Sequence, residues 1–199
     1  MRFTAFGALW LAALTACTGM SSHSAYGAGD PALAAANPGG GTIVPFLTSG
    51  DAVLQALDAI AGRAGKPLRV TSISADRMNG LMVNVQQPAH HQNVDRYVVT
   101  ADGALNGPTP VKLMSLDGGP ITAEKVDARA FDPKSVGFVN LTRTARQAIA
   151  KSGYPDARVT EWDIEGIAPD DRRFIYLESA RARPSAEVNV QLTIVRMSY

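Results

Sequence analysis

The sequence predicts an α+β fold built as two helix-plus-antiparallel-sheet modules, with one continuous sheet as a possible way of joining them. Three observations lead there. Two segments carry apolar residues at helical spacing: Val53, Leu54, Leu57, Ile60 and Ala61 in the first, Ala145, Ala148 and Ile149 in the second. Both segments stop the same way, at Gly65 and Pro67 and at Gly153 and Pro155. After each come short runs that alternate apolar and polar residues, the pattern of strands with one buried and one wet face. Neither helix is long enough to stand alone, so each must cover a sheet.

In chain order, the first helix is expected over 50–64. Ser49 can cap it, and Asp51 sits at its positive end. Strands follow at 68–73, 80–86 and 96–100. In the second of these, Leu81, Val83 and Val85 point one way and Met82, Asn84 and Gln86 the other. Asp102-Gly103 supplies a turn, and 111–116 is a further strand candidate. The second helix starts at Leu141-Thr142, with Thr142 as cap, and runs to about Ser152. Strands then fit 157–165, 172–179 and 187–197. The last is the clearest, with Val188, Val190, Leu192 and Ile194 alternating with Glu187, Asn189, Gln191 and Thr193. Phe174 and Tyr176 on one side, and Ile175 and Leu177 on the other, make a strand that is apolar on both faces. Such a strand suits a second covering layer or a partner.

The chain has 199 residues and a net charge of +1, with 19 basic against 18 acidic residues. That balance gives no basic surplus for a nucleic-acid partner. Met1-Arg2 precede an apolar stretch from Phe3 to Ala16, the order of a secretory signal. The stretch is too short for a stable membrane-spanning helix, which needs roughly 20 residues. Leu14-Thr15-Ala16-Cys17 closely resembles a bacterial lipobox. The resemblance implies cleavage before Cys17, acylation with lipid such as palmitate, and a bilayer anchor. Thr18, where inner-membrane lipoproteins of many Gram-negative bacteria carry Asp, implies an outer-membrane address with the domain facing the periplasm.

The expected organisation is a signal peptide at 1–16 and a lipidated flexible tether at 17–48. A first module at 49–116, a linker at 117–135 and a second module at 136–199 complete the chain. Within the tether, Ile43-Val44-Pro45-Phe46-Leu47 is apolar and reads as a strap packed on its own domain, with an edge strand or docking segment as the alternative. The helix-then-strands order, with Tyr97-Val98-Val99-Thr100-Ala101-Asp102-Gly103 as a strand and turn, loosely resembles tandem PepSY-like or beta-lactamase-inhibitor-like envelope modules. That resemblance implies binding or restraint of other proteins and assigns no residue.

The search for chemistry returns little. His90-His91, with Asp95 nearby, is the metal candidate, but zinc needs three or four protein ligands, and His23 and Cys17 are committed elsewhere. No metal site and no cofactor are expected. No Gly-x-Ser-x-Gly elbow, Walker loop or dinucleotide-binding loop occurs. Glu161, Asp163 and Glu165 line one strand face, opposite Thr160, Trp162 and Ile164. With Trp162 in the core they read as a polar outer face, which Arg172 and Arg173 can neutralise from the next strand. No catalytic residue is assigned. Phe174, Tyr176, Arg196 and Tyr199 are the candidate interface. The reading is a non-catalytic envelope lipoprotein that binds another envelope protein or supports an assembly. A periplasmic binder of cell-wall fragments or lipid is the alternative, and an enzyme a distant third.

Overall fold

The computed structural model describes residues 44–113 and 119–199. The signal, Cys17 and the tether as far as Ile43 lie outside the described residues, as does the end of the strand expected at 111–116.

Helix α1 (Gly50–Ala64) forms where its apolar stripe requires. The Ser49 hydroxyl accepts the Ala52 N–H at 3.3 Å, and Gly65 ends the helix at φ 99°. Val53, Leu57 and Ile60 turn inward and are buried. A five-residue helix α2 (Ala123–Asp127), capped by Thr122, lies in the segment read as a linker. Helix α3 (Leu141–Lys151) runs as expected, but Thr142 does not cap it. Asn140 holds the cap position without a side-chain bond to the backbone N–H groups of the helix. The 3-10 turn Phe138–Asn140 leads straight into the helix, so the chain is already coiled at its start and Thr142 falls inside.

Eight strands follow the two long helices in two sets of four. They are β1 (Val70–Asp76), β2 (Gly80–Gln86), β3 (Val94–Val99), β4 (Leu105–Pro110), β5 (Arg158–Ile164), β6 (Arg173–Glu178), β7 (Ser185–Val188) and β8 (Ile194–Ser198). They form one antiparallel sheet in the order β4-β3-β2-β1-β5-β6-β7-β8. Each half is a meander, and the first strands of the two halves pair at the centre. Ile73 lies opposite Ile164, Ser74 opposite Asp163, Ala75 opposite Trp162 and Asp76 opposite Glu161. The sheet is therefore continuous across the two halves.

Two strand expectations are corrected. The fourth strand of the first half comes earlier than expected: β4 occupies the Gly- and Pro-rich Leu105–Pro110, and residues 111–113 are outside any strand. The 187–197 strand is instead the β7–β8 hairpin. Asn189 breaks it, its Oδ1 accepting the N–H groups of Gln191 (3.0 Å) and Thr193 (2.9 Å). Leu192 then takes φ 55°, unusual for a side chain of its bulk, and is buried in exchange. The alternation passes unbroken through the turn because Leu192 still points inward.

One core serves both halves, running from Val44 through α1, β1–β3, α3 and β5–β7 to Leu192. Trp162 is at its centre, 2% exposed, and its Nε1–H donates to the Phe46 carbonyl at 2.8 Å. Phe138 packs on it with ring centroids 5.7 Å apart. The apolar segment before Ser49 is thus a strap on its own domain: Val44, Phe46 and Leu47 are buried, with Pro45–Leu47 in a 3-10 turn.

Candidate functional site

The helices α1 and α3 and the strap cover the face carrying Ile73, Trp162 and Ile175. The register places a different set on the other face. Val98, Met82, Ser74, Asp163, Phe174, Glu187 and Arg196 form one line across seven strands. Asp76, Glu161, Tyr176, Ser185 and Ser198 form the next. None of these residues except Asp76 and Glu161 has a cross-strand neighbour of its own charge, and all are half-buried or exposed. The floor is polar toward β1 and β2 and aromatic toward β6.

Asp163 sits at the middle of this face. One carboxylate oxygen accepts the Phe174 N–H at 3.2 Å, and the nearby Tyr176 hydroxyl also favours the charged form. Burial pushes the Asp163 carboxyl up to about 6, against the Phe174 N–H, which pulls it down; Glu165 and Glu161 raise it further. Tyr176 is raised too, by burial first and then by Asp163 and Glu161. Its ring lies 5.9 Å from that of Phe174, centroid to centroid. The register shift between Val159 and Glu161 takes Thr160 out of the expected alternation. This arrangement can hold a proton near pH 6 beside a flat apolar shelf.

Of the four residues expected to mark an interface, three lie on this face. Phe174 and Tyr176 are in contact, and Arg196 on β8 reaches Glu187 on the neighbouring β7 at 2.8 Å. Tyr199 does not join them: its hydroxyl donates to the Lys151 carbonyl on the helix side. Cys17 lies outside the described residues. The expected pairing of Arg172 and Arg173 with the β5 acids does not form. Arg173 turns inward, 5% exposed, and donates to the carbonyls of Gly166 (3.0 Å), Ala168 (2.9 Å) and Val188 (3.3 Å). It fastens the β5–β6 loop rather than neutralising the sheet face.

His90 and His91 lie in the β2–β3 loop, as expected. The structure separates their tasks: His91 Nδ1 lies 3.0 Å from Asp127 on α2, while Asp95 takes the Gln87 amide at 2.7 Å. Asp127 is held below the usual carboxylate range by the Gln86 amide first and His91 next. Among the described residues no three His, Cys, Asp or Glu side chains cluster closely enough to hold a metal ion.

Two features at the ends of the face had no sequence signal, because each joins segments far apart in the chain. At one end a groove of about 740 Å³ opens between α2, the β5–β6 loop and the sheet. Thr71, Ser72 and Asn84 form its floor, Lys125 and Arg129 one wall, and Glu165, Asp170 and Arg172 the other. At the opposite end Arg158 and Arg183 pair with Glu178 at 3.2 and 3.5 Å.

Both margins of the sheet are blunted. On β4, Pro108 and Pro110 have no N–H to offer another strand. On β8 a bulge at Val195 breaks the register between Ile194 and Arg196.

No family model matches the chain, and no curated protein resembles it closely enough in sequence to assign one. The architecture is similar to the crystal structure of a putative lipoprotein from Clostridium difficile 630, with a TM-score of 0.52 and 13% identity, over 77% of this chain and 93% of that one. At that identity the likeness is one of fold.

Proposed function

We propose that the protein is a non-catalytic lipoprotein of the bacterial envelope, anchored in the outer membrane through acylated Cys17, which presents its uncovered sheet face to another envelope protein. The observation that carries this reading is the state of that face. Helices fill the opposite side and both strand margins are blunted, which leaves the Phe174–Tyr176 shelf as an aromatic surface on the uncovered face. The Leu14-Thr15-Ala16-Cys17 motif supports the anchor. The fold likeness to a protein described as a putative lipoprotein agrees with it. No helix among the described residues is long and apolar enough to cross a membrane. Lipid confinement would raise the local concentration of a modest interface, and the tether would set its reach.

The test is crosslinking in the source bacterium with Cys17 intact. A reproducible envelope partner should be lost with Phe174→Ala/Tyr176→Ala and retained with His90→Ala/His91→Ala. Recovery of monomer alone, beside a control complex that crosslinks well, would sink the reading. Labelled palmitate should enter the wild type and not Cys17→Ser.

A second reading, a binder of cell-wall fragments or lipid, rests on the groove between the halves, whose size lies in the range of small-molecule sites. Saturable binding of purified muropeptides, abolished by closing the floor with Ser72→Trp, would move it to first place.

A further inference from the structure

The groove at the end of the sheet face has walls of opposite charge. Lys125 and Arg129 make the α2 wall basic. Glu165, Asp170 and Asp171 outnumber Arg172 on the β5–β6 loop wall. Asp171 is engaged within its own loop, where it accepts the Ala168 N–H at 2.6 Å. The side chains of Arg129, Glu165 and Asp170 make no hydrogen bond or ion pair among the described residues. The two signs therefore line one groove without bridging it. The floor adds a directed donor. Ser72 Oγ accepts Asn84 Nδ2 at 2.8 Å. Arg96 Nε donates to Asn84 Oδ1 at 3.1 Å, and since arginine only donates, this fixes which way the Asn84 amide turns. The half-buried Ser72 hydroxyl keeps its own proton to give, and no acceptor among the described residues takes it.

We propose that the groove takes a short peptide with both ends free. Its carboxylate lies on Arg129, its ammonium on Glu165 and Asp170, and a peptide carbonyl on the Ser72 hydroxyl. The inference rests on the second reading above, in which the groove is a ligand site, and is independent of docking at the Phe174–Tyr176 shelf. A zwitterion meets both walls at once, whereas a lone anion or cation is attracted by one and repelled by the other. The arginine fork matches a carboxylate through two parallel bonds. An ammonium has three donors, which two carboxylates can share. An uncharged sugar leaves the wall charges unmet, and an acyl chain lays apolar surface against them. Ile121 and Val126 leave apolar surface for the peptide's side chains. Recognition runs through the peptide's ends and backbone, so it selects a class of ligand rather than one sequence.

The experiment titrates the full chain, in neutral detergent, with trialanine and follows the β1 amide signals by NMR. A saturable shift at Ser72 is expected. Affinity should fall about tenfold when the peptide is N-acetylated, and about tenfold when its carboxyl end is amidated. Glu165→Gln/Asp170→Asn should match the first loss and Arg129→Gln the second. The pairing of end with wall is diagnostic: the N-acetylated peptide should lose nothing further in Glu165→Gln/Asp170→Asn. Ser72→Ala should cost about fivefold. Arg183→Gln, at the opposite end of the face, should change nothing. The wall side chains make no internal bond, so their variants should fold as the wild type does, which circular dichroism checks. Binding that ignores capping of either end overturns the proposal, and so does an equal loss in Arg183→Gln. If trialanine gives no shift while the uncharged sugar N,N′-diacetylchitobiose does, the peptide assignment falls and the groove reading stands. If neither binds, both fall.

Discussion

A carboxyl group whose charge is disfavoured in the middle of a sheet face ties stability to pH. Asp163 is pushed up to about 6 in the native state, whereas in the unfolded chain an aspartate titrates near about 4. Between those values the native protein holds a proton that the unfolded chain has released. Stability from this group is therefore highest below about pH 4, falls as pH rises to about 6, and is level above. Because the carboxyl is partly solvated, a loss of about 1 kcal/mol is expected rather than the full linkage value. Asp163→Asn should be more stable than the wild type by about that amount at pH 7.5 and no more stable at pH 4, measured by urea unfolding. Asp127 works in the opposite sense: held low by Gln86 and His91, it stabilises above the usual carboxylate range and loses that contribution as pH falls. At this scale the sequence was only partly legible. The alternation of Glu161, Trp162, Asp163 and Glu165 showed which side chains face out, yet the shelter that Phe174 and Tyr176 give Asp163 depends on a strand ten residues further on. Arg173 was misread because its role is fixed by the carbonyls of Gly166, Ala168 and Val188, which no local pattern announces.

Helix α1 contains two glycines under different constraints. A Cβ on Gly50 would stand 1.9 Å from the Phe138 carbonyl oxygen, whereas one on Gly62 would meet nothing within 4 Å. Gly50→Ala should therefore destabilise the protein, by about 2 kcal/mol or more, through overpacking at the junction of α1 with the turn before α3. Gly62→Ala should stabilise it by about 0.5–1 kcal/mol, since only backbone entropy changes. Thermal melts of the pair check both signs. In the β7–β8 hairpin, Asn189→Ala removes two side-chain bonds to the turn. A cost of about 1–2 kcal/mol is expected, with faster hydrogen exchange at the amides of β8 than elsewhere in the sheet. The elements that were legible had strong local punctuation: Ser49 before α1, Gly65 after it, Gly80 opening β2. The hairpin escaped because a period of two cannot distinguish a strand from a turn whose buried residue keeps the phase. β4 escaped because its glycine and prolines read as a loop, and only pairing with β3 makes it a strand.

The β1–β5 pairing and the shared core predict that the two halves unfold as one cooperative unit. Denaturant unfolding followed by Trp162 fluorescence, which reports the second half, should coincide with the Tyr97 ring signals in the first half and with far-UV circular dichroism. Separated transitions would show that the halves open independently. The α+β class and the repeated helix-then-strands order were visible from hydrophobic periodicity. The joining of the halves was left open, because nothing in a strand's own residues states which strand lies beside it. The groove and the Arg158–Glu178–Arg183 pairing were invisible for the same reason. The blunted margins have a consequence for crowding. Molecules confined to a membrane plane meet side by side far more often than molecules in bulk water, and an eight-stranded sheet with two receptive margins would lengthen into ribbons. Pro108 and Pro110 on one side and the Val195 bulge on the other remove the two growing ends. If the proposed anchor holds the protein in a membrane plane, these blunted margins would keep neighbouring copies from joining edge to edge.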